Sequence, residues 1–396
     1  MSIYSVWPYF AEMALLLLIA ASPLFGAADV PPNPGVSRIS TLDGLRGFLA
    51  LCVFFHHGAI YHRYLSDGVW GLPPSRFYSL IGQVGVAMFF MITGYLFWSR
   101  IVAERGRTDW LQLYIGRVFR IGPLYLFAIA CAAVIVLTRV GPHLNVSVLQ
   151  LSAELGRFLS LGLIPMDDIN GYPDSELLLA GVTWTLRYEW YFYLSLPLLA
   201  LVAGRSKLHL PFTVVMLTIS LVYLTTHTRP SVSAPLSVCV ALFLVGMTCG
   251  SLVRAGMIAK IADPVRSLAV VILICTVFII FDSSHNVGAT LLLGGAFYLI
   301  ASGCSLFGLL TSRAARRLGN VSYGIYLLQG LVLTIVFSLD WTRDTALLSP
   351  LGHWSMLLLC GILLVAIATV VHVALERPGI DIGKRLGRPW RRPAVI

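Results

Sequence analysis

The chain has 396 residues, of which 58% are hydrophobic and 12% are charged, and its formal net charge is +10. Soluble domains carry about 25% charged residues, so this composition excludes an ordinary soluble domain and indicates a polytopic membrane protein. The positive charge does not indicate a nucleic-acid partner, because the basic residues cluster between apolar segments, as the positive-inside rule describes. The seven cysteines show neither zinc-site nor disulfide spacing, and the sequence predicts no metal site.

The apolar segments are long enough to cross a bilayer, for which a helix needs about 20 residues. The first of them covers 11–28, and the first 37 residues contain no Lys or Arg. Because a signal peptide needs a basic n-region, we expect an extra N-terminal span here. The fold class that we predict is all-α, a polytopic membrane helical bundle. Its core transmembrane helices number about ten, at residues 47–64, 80–99, 121–138, 183–203, 211–226, 236–253, 267–282, 288–310, 322–339 and 355–375.

The distribution of basic residues predicts the topology of this bundle. With the loop at 29–46 in the cytoplasm, 21 of the 28 Lys and Arg residues fall in cytoplasmic segments. This bias follows the positive-inside rule and puts the C-terminus in the cytoplasm. We divide the chain into an N-terminal extension (1–37), a membrane domain (38–378) and a basic cytoplasmic tail (379–396).

Arg46 and His57 lie eleven residues apart in the first core segment, TLDGLRGFLALCVFFHHGAIYHR. Eleven residues of helix make about three turns and rise about 16 Å, so both side chains share one face. The imidazole then lies near the bilayer midplane, where an ionisable group is costly unless it is paired or faces a polar cavity. We predict that His57 is catalytic, since His56 points about 100° away and His62 is near the outer end. The alternative is a histidine satisfied by a neighbouring helix.

Two further motifs contain charged residues at membrane boundaries. Arg117 and Arg120 are three residues apart, so they project from one side of a helix at the cytoplasmic surface. Paired guanidiniums suit phosphate groups, although they could also anchor the helix at anionic lipid head groups. The outer segment at 139–182 is the longest polar interruption, and its apolar part, 148–164, predicts a half-buried or re-entrant helix.

Glu189 lies six residues into a predicted span and is surrounded by aromatic side chains in GVTWTLRYEWYFYLSLPLL. A carboxylate at that depth needs a partner, which could be Arg187 or a histidine on another helix. Residues two apart on a helix do not face each other, so an Arg187–Glu189 pair is disfavoured. A carboxylate held against an imidazole is also the arrangement that orients a general base.

Taken together, six segments resemble the motifs of the membrane acyltransferase-3 family, in the family's order. They are Arg46 with His57 (Arg-x10-His), Gly85–Leu96, Arg117–Arg120 (RxxR), Trp184–Leu199, Leu318–Gln329 and Glu376–Pro378. The chain departs from the pattern at Thr93, where the family usually has serine, and at Gln329, where relatives often have histidine. The extension to about residue 37 lies outside the resemblance.

The resemblance implies a bacterial inner-membrane O-acyltransferase. It implies that cytoplasmic acyl-CoA, in particular acetyl-CoA, is the co-substrate and that no cofactor is bound. The implied acceptor is a hydroxyl of an extracytoplasmic carbohydrate, such as a cell-surface polysaccharide, a lipopolysaccharide or a glycolipid. The bilayer is the remaining partner.

The resemblance also suggests roles for the candidate residues. Arg117 and Arg120 would hold CoA phosphates, and Arg46 would hold the pantetheine or phosphate end at the start of the catalytic path. His57 would be the general base or a transient acyl carrier, and Glu189 would orient or charge-balance it. Tyr193, Tyr323 and Tyr326 would line the path of the sugar.

Two other function classes fit the span count. A secondary transporter or polysaccharide exporter would also have ten or more spans with polar residues near the midplane. Transport coupling favours acidic residues on several facing helices, whereas Glu189 is nearly alone deep in a span. A lipid-binding sensor without turnover is the third class, and consumption of acetyl-CoA would distinguish it from an enzyme.

Overall fold

The computed structural model describes residues 2–29, 39–166, 168–205, 207–227, 236–257 and 261–387. Within these ranges the chain is a bundle of fifteen α-helices, and no β-strand is present in them. The helices are α1 (Trp7–Ala21), α2 (Ser40–Asp67), α3 (Arg76–Ala103), α4 (Trp110–Val140), α5 (Val148–Leu159), α6 (Trp184–Ala203), α7 (His209–His227), α8 (Leu236–Arg254), α9 (Asp263–Ile280), α10 (Val287–Ala301), α11 (Arg313–Asn320), α12 (Ser322–Phe337), α13 (Asp340–Leu348), α14 (Pro350–Val371) and α15 (Arg377–Leu386).

The all-helical membrane fold is confirmed, but the count of ten core spans is not. In the described part of the chain, six stretches are long and apolar enough to cross a bilayer: α3, α4, α7, α8, α9 and the continuous stretch from α14 to α15. The pair α11 and α12, bent by 69°, would make a seventh. A helix overlaps every predicted span, yet α10 has only 15 residues, and polar side chains such as Arg46 and Glu189 make α2 and α6 less apolar.

Close helix packing in the bundle depends on small residues. α3 and α8 approach each other at Gly94 and Gly246, where an added Cβ would collide with the backbone of the facing helix. Such small-residue contacts are common between membrane helices, because lipid offers no hydrophobic drive for association. A buried hydrogen bond of 2.8 Å from Trp98 Nε1 to Ser251 Oγ ties the same two helices. α2 packs against α3, α11 and α12, so it occupies the centre of the structure.

The N-terminal extension is docked onto the bundle by Arg317, a residue of α11 that is only 3% exposed. Its Nη1 donates to the carbonyl oxygens of Ala20, Ala21 and Ser22 at 2.6–3.0 Å, which satisfies carbonyls at the end of α1. Its Nε and Nη2 donate to the two oxygens of Asp29 at 2.8 and 2.9 Å. These hydrogen bonds hold the pKa of Asp29 below its usual range.

The apolar run predicted as an extra span forms a 15-residue helix, α1, followed by a 3-10 turn at Pro23–Ala28. This helix is shorter than a typical membrane span. The tail predicted at 379–396 begins within α15, and its residues 388–396 lie outside the described part of the chain.

The outer segment between α4 and α6 contains the helix α5, which does not enter the bundle. The chain that follows α5 enters it instead. α5 stays at the surface, with Leu149 and Leu159 exposed. The following chain then turns inward to a 3-10 turn at Ser175–Leu179, where Leu179 is fully buried. A Cβ on Gly330 of α12 would collide with the backbone of Leu179, so the two segments touch at this depth. α6 therefore begins well inside the bundle.

Candidate active site

One cavity collects most of the residues that the sequence singled out. It is lined by side chains from α2, α3, α4, α6 and α12. Seven of the eight predicted site residues line it: Arg46, Arg117, Arg120, Glu189, Tyr193, Tyr323 and Tyr326. We call this space the arginine cavity. His57 is not among its lining residues.

Aromatic side chains and hydroxyls hold the charged groups of the arginine cavity in place. The Arg117 guanidinium lies 5.1 Å from the ring centre of Phe97, within the range of a cation–π contact. The Tyr193 hydroxyl donates to Glu189 Oε2 at 2.7 Å, and the Tyr114 hydroxyl donates to the Tyr193 carbonyl at 3.1 Å. The positions of Arg117 and Glu189 are thus set by rings packed between α3, α4 and α6.

The charge of the arginine cavity favours an anionic ligand. Its lining contains three guanidiniums and one carboxylate, so it carries a formal charge of +2. Arg46 and Arg117 each lie within electrostatic range of Arg120 and of Glu189, so the four charged groups converge. Guanidiniums bind phosphates by paired hydrogen bonds, and each such charge-assisted bond contributes about 1.5–3 kcal/mol.

His57 lies three turns after Arg46 on the uninterrupted helix α2. Its Nδ1 is 2.9 Å from the carbonyl oxygen of Val53, which can only accept, so Nδ1 carries the proton. In the neutral ring, Nε2 is then the nitrogen that accepts a proton, as a general base requires. The Gln329 side chain lies beside the imidazole, and its Nε2 donates to the Tyr326 carbonyl at 2.8 Å.

The neighbouring histidines have different surroundings. His56 is 9% exposed, its Nδ1 lies 2.7 Å from the Tyr78 carbonyl oxygen, and its ring packs against Gly82 of α3. It therefore serves the contact between α2 and α3. His62, near the outer end of α2, packs edge-to-face with His353 of α14 at 4.8 Å between ring centres. Neither residue lines the arginine cavity.

A second cavity, of about 300 Å³, lies at the other ends of the helices that form the first. We call it the outer cavity. α2, α4 and α12 contribute their early residues to the arginine cavity and their late residues to the outer cavity. The outer cavity is lined by four rings and several polar side chains, namely Tyr61, Tyr64, Tyr172, Phe337, Arg139, Asp174, Thr334 and Ser338.

Hydrogen bonds order the polar groups of the outer cavity. Tyr61 and Thr334 are joined by a hydrogen bond of 2.7 Å between their hydroxyls, which links α2 to α12. Arg139 donates to the Tyr172 hydroxyl at 2.8 Å. Along α2, His57 is about 16 Å beyond Arg46 and about 6 Å before Tyr61. The imidazole therefore lies between the levels of the two cavities.

The structure does not bring Glu189 to His57. Glu189 lies in the arginine cavity, bonded to Tyr193 and within electrostatic range of Arg117, Arg46 and Arg120. The reason is the deep start of α6: six residues into that helix reach the level of the arginines rather than that of the imidazole. None of the described contacts of Glu189 joins it to His57, so the orienting role expected for Glu189 stays a prediction.

The tyrosines expected along a sugar path also line the arginine cavity instead of the outer one. The Tyr323 hydroxyl donates to the Ile121 carbonyl at 3.1 Å, and the hydroxyls of Tyr326 and Thr185 are 3.1 Å apart. The outer cavity has its own tyrosines, among them Tyr61 and Tyr64, which sequence reasoning passed over. They follow His57 by four and seven residues, which puts them on the same face of the helix. This spacing could have identified them from the sequence.

Comparison with known proteins finds a family match over the part of the chain that contains these residues. A family model described as an acyltransferase domain, Acyl_transf_3, matches residues 39–373. The chain belongs to this acyltransferase family. The match spans every helix that lines the two cavities and leaves out α1.

The chain also resembles the acyltransferase MdmB of Streptomyces mycarofaciens, with 30% identity over 170 residues. That alignment covers 42% of this chain and 40% of the relative. No solved structure matches the chain. Family membership supports an acyltransferase rather than the transporter that the span count also allowed.

Proposed function

We propose that the protein transfers an acyl group, specifically acetyl, from acyl-CoA to a hydroxyl of a carbohydrate or glycolipid on the other side of the membrane. One observation carries this proposal. An imidazole with a proton-accepting Nε2 lies on the same helix as the arginine cavity and between the levels of two cavities.

The arginine cavity fits the donor. Coenzyme A carries three phosphate groups at one end and the thioester at the other, so its charge and its reactive atom are far apart. Arg117 and Arg120 would bind the phosphates bidentately, and Arg46 would hold the arm as it enters the bundle. Glu189, bonded to Tyr193, would offset the repulsion among the three guanidiniums and limit the positive charge of the cavity.

The outer cavity fits the acceptor. Ligand sites are commonly lined by aromatic and apolar side chains with a few well-placed polar groups. Tyr61 and Phe337 pack with their rings nearly parallel, and Arg139 and Asp174 supply a donor and an acceptor at the rim. A sugar held there would present a hydroxyl toward His57, about one helical turn deeper.

The acyl transfer can be written as a balanced reaction in which His57 is the general base. Nε2 takes the proton of the acceptor hydroxyl while its oxygen attacks the thioester carbonyl. The new C–O ester bond forms and the C–S bond breaks. The departing thiolate takes the proton from the imidazolium, which gives free coenzyme A and restores the neutral ring. The hydrogen bond from Nδ1 to the Val53 carbonyl stabilises the ring in both states.

The proposed location is the bacterial inner membrane, with the arginine cavity toward the cytoplasm. The support is the excess of basic residues in the loops at that end and the cytoplasmic origin of acyl-CoA. The acetyl group would then cross the membrane while coenzyme A stays inside.

The test is acyl transfer by the purified, full-length protein in proteoliposomes. The protein should release free thiol from acetyl-CoA, read with a thiol-reactive dye, and move radiolabelled acetate to a glycan or lipid-linked sugar. The heat-inactivated protein is the control. Uptake of a solute without thiol release would favour the transporter alternative and overturn the proposal.

A further inference from the structure

Glu376 is a fully buried carboxylate behind the arginine cavity. It is 0% exposed and ends a five-residue π-helical turn, His372–Glu376, that joins α14 to α15. It does not line the cavity. Single π-helical turns are rare and frequently mark functional sites. A buried charge is costly unless it is paired, so its partners show what it does there.

Glu376 contacts one residue that lines the cavity and one that does not. Its Oε1 is 3.7 Å from Nη2 of Arg120. Its Oε2 is 2.7 Å from Nδ1 of His372. Oε1 and the Nε2 of His372 have no hydrogen-bond partner in the described part of the chain. The carboxylate is therefore fixed by His372 on one side and turned toward Arg120 on the other.

The backbone around this pair is closely packed. α15 packs along the first half of α4, where Gly379 lies against the Phe119 carbonyl and the Pro123 ring. Phe119 is next to Arg120 in the sequence. The turn that holds Glu376 and the helix that holds Arg120 are thus clamped together.

The geometry of the pair differs from that of the docking pair between Arg317 and Asp29. In that pair two hydrogen bonds of 2.8 and 2.9 Å occupy the guanidinium. At Arg120 the carboxylate is 3.7 Å away. Such an ion pair orients the guanidinium electrostatically and leaves its N–H groups available to a ligand.

We propose that Glu376 is a positioning residue that aims Arg120 at the phosphates of the acyl donor. The inference rests on the proposed function, because it takes acyl-CoA as the ligand of the arginine cavity. It adds a carboxylate that contacts no substrate and acts through Arg120, with His372 holding that carboxylate in place.

The experiment measures initial rates of thiol release against acetyl-CoA concentration for the full-length protein in proteoliposomes. Glu376→Gln keeps the shape of the side chain and removes its charge. We expect the donor KM to rise at least threefold, with kcat within twofold of the wild-type value. Glu376→Asp, which keeps the charge and lengthens the gap to Arg120, should also raise the donor KM.

A double-mutant cycle tests whether Glu376 acts through Arg120. In an Arg120→Ala background, Glu376→Gln should cause no further rise in donor KM, because the side chain that it positions is absent. Glu12→Gln is the matched control. Glu12 on α1 is also buried, at 5% exposure, and its Oε2 has no hydrogen-bond partner among the described residues, but it does not line the arginine cavity.

The outcomes separate this inference from the proposed function. An unchanged donor KM in both Glu376 variants, with a lower melting temperature, would make Glu376 a structural residue and overturn the inference. A lower donor KM in these variants would also overturn the inference, because it would show that the Glu376 charge only repels the anionic donor. Absence of thiol release by the wild-type protein would instead refute the proposed function.

Discussion

Nδ1 of His57 lies 2.9 Å from the carbonyl oxygen of Val53, one turn earlier on α2. A helix carbonyl is a fixed acceptor, so this hydrogen bond sets the tautomer without help from another side chain. Carboxylate–histidine pairs usually serve that purpose in hydrolases. In this protein the backbone carbonyl of Val53 occupies the place of that carboxylate, and Glu189 is bonded to Tyr193 in the arginine cavity instead.

Replacement of His57 by alanine is expected to lower the turnover of acetyl-CoA by at least about 100-fold, the lower end of what a general base contributes. Membrane abundance should stay near normal, because the side chain is only partly buried. The measurement is thiol release per folded molecule. His56→Ala is the matched control and should keep turnover while lowering the melting temperature. Activity in His57→Ala together with inactivity in His56→Ala would move the base to His56.

The double variant Arg117→Ala and Arg120→Ala is expected to raise the donor KM at least tenfold. Two lost charge-assisted hydrogen bonds, each contributing about 1.5–3 kcal/mol, are more than enough for one factor of ten. The acceptor KM should change little. Arg139→Ala, at the rim of the outer cavity, is the reciprocal control and should raise the acceptor KM. A donor KM unchanged in the double variant would assign the two arginines to lipid anchoring.

Sidedness can be tested in oriented vesicles. In inverted vesicles, external acetyl-CoA is expected to acylate an acceptor trapped in the lumen, because the arginine cavity then faces outward. In right-side-out vesicles, the same donor should be inert. Acylation that occurs only when donor and acceptor share the cytoplasmic compartment would contradict transfer across the bilayer, while leaving the acyltransferase activity intact.

Arg317→Met is expected to lower the melting temperature in detergent by at least about 5 °C, since it removes several hydrogen bonds of a charged group. The Asp29 pKa lies below its usual range, so the contribution of this carboxylate is fully present above about pH 4. It is lost as the pH falls through the lowered pKa. In thermal melts at pH 2–7, the melting temperatures of the wild type and Asp29→Asn should therefore approach each other as the pH falls.

The matched control for that series is Asp282→Asn, which removes an exposed carboxylate paired with Arg76 at 3.4 Å. Exposed pairs contribute about 0–1 kcal/mol, so this variant should melt like the wild type at every pH. A loss of stability in Asp282→Asn as large as that in Asp29→Asn would show that the pair that docks α1 contributes no more to stability than an exposed ion pair.

Periodicity predicted α2 well because that helix is continuous. Arg46 and His57 stand on one uninterrupted helix of 28 residues, and their spacing alone gave their relative direction and depth. One local motif likewise predicted that Arg117 and Arg120 project from one side of a helix. Their meeting with Arg46 in one cavity brings together residues of α2 and α4 that are far apart in sequence, and the spacing does not predict it.

Glu189 shows where the sequence stops being informative. Its place within α6 was clear, but its depth depends on how far the preceding chain descends into the bundle before α6 begins. That path is set by contacts such as the one between Leu179 and Gly330, which are far apart in sequence. The outer cavity and the contact of Glu376 with Arg120 likewise arise from helices that are distant along the chain.

The separation of Arg46 and His57 along α2 makes the site a molecular ruler. In the proposed mechanism, a donor anchored by its phosphates at the arginines would have to present its carbonyl about 16 Å further on. Acetyl phosphate carries the same reactive acetyl group and the same kind of anchor, but nothing that spans this length. Under the proposed mechanism, the protein would therefore discriminate among activated acetyl donors by their length.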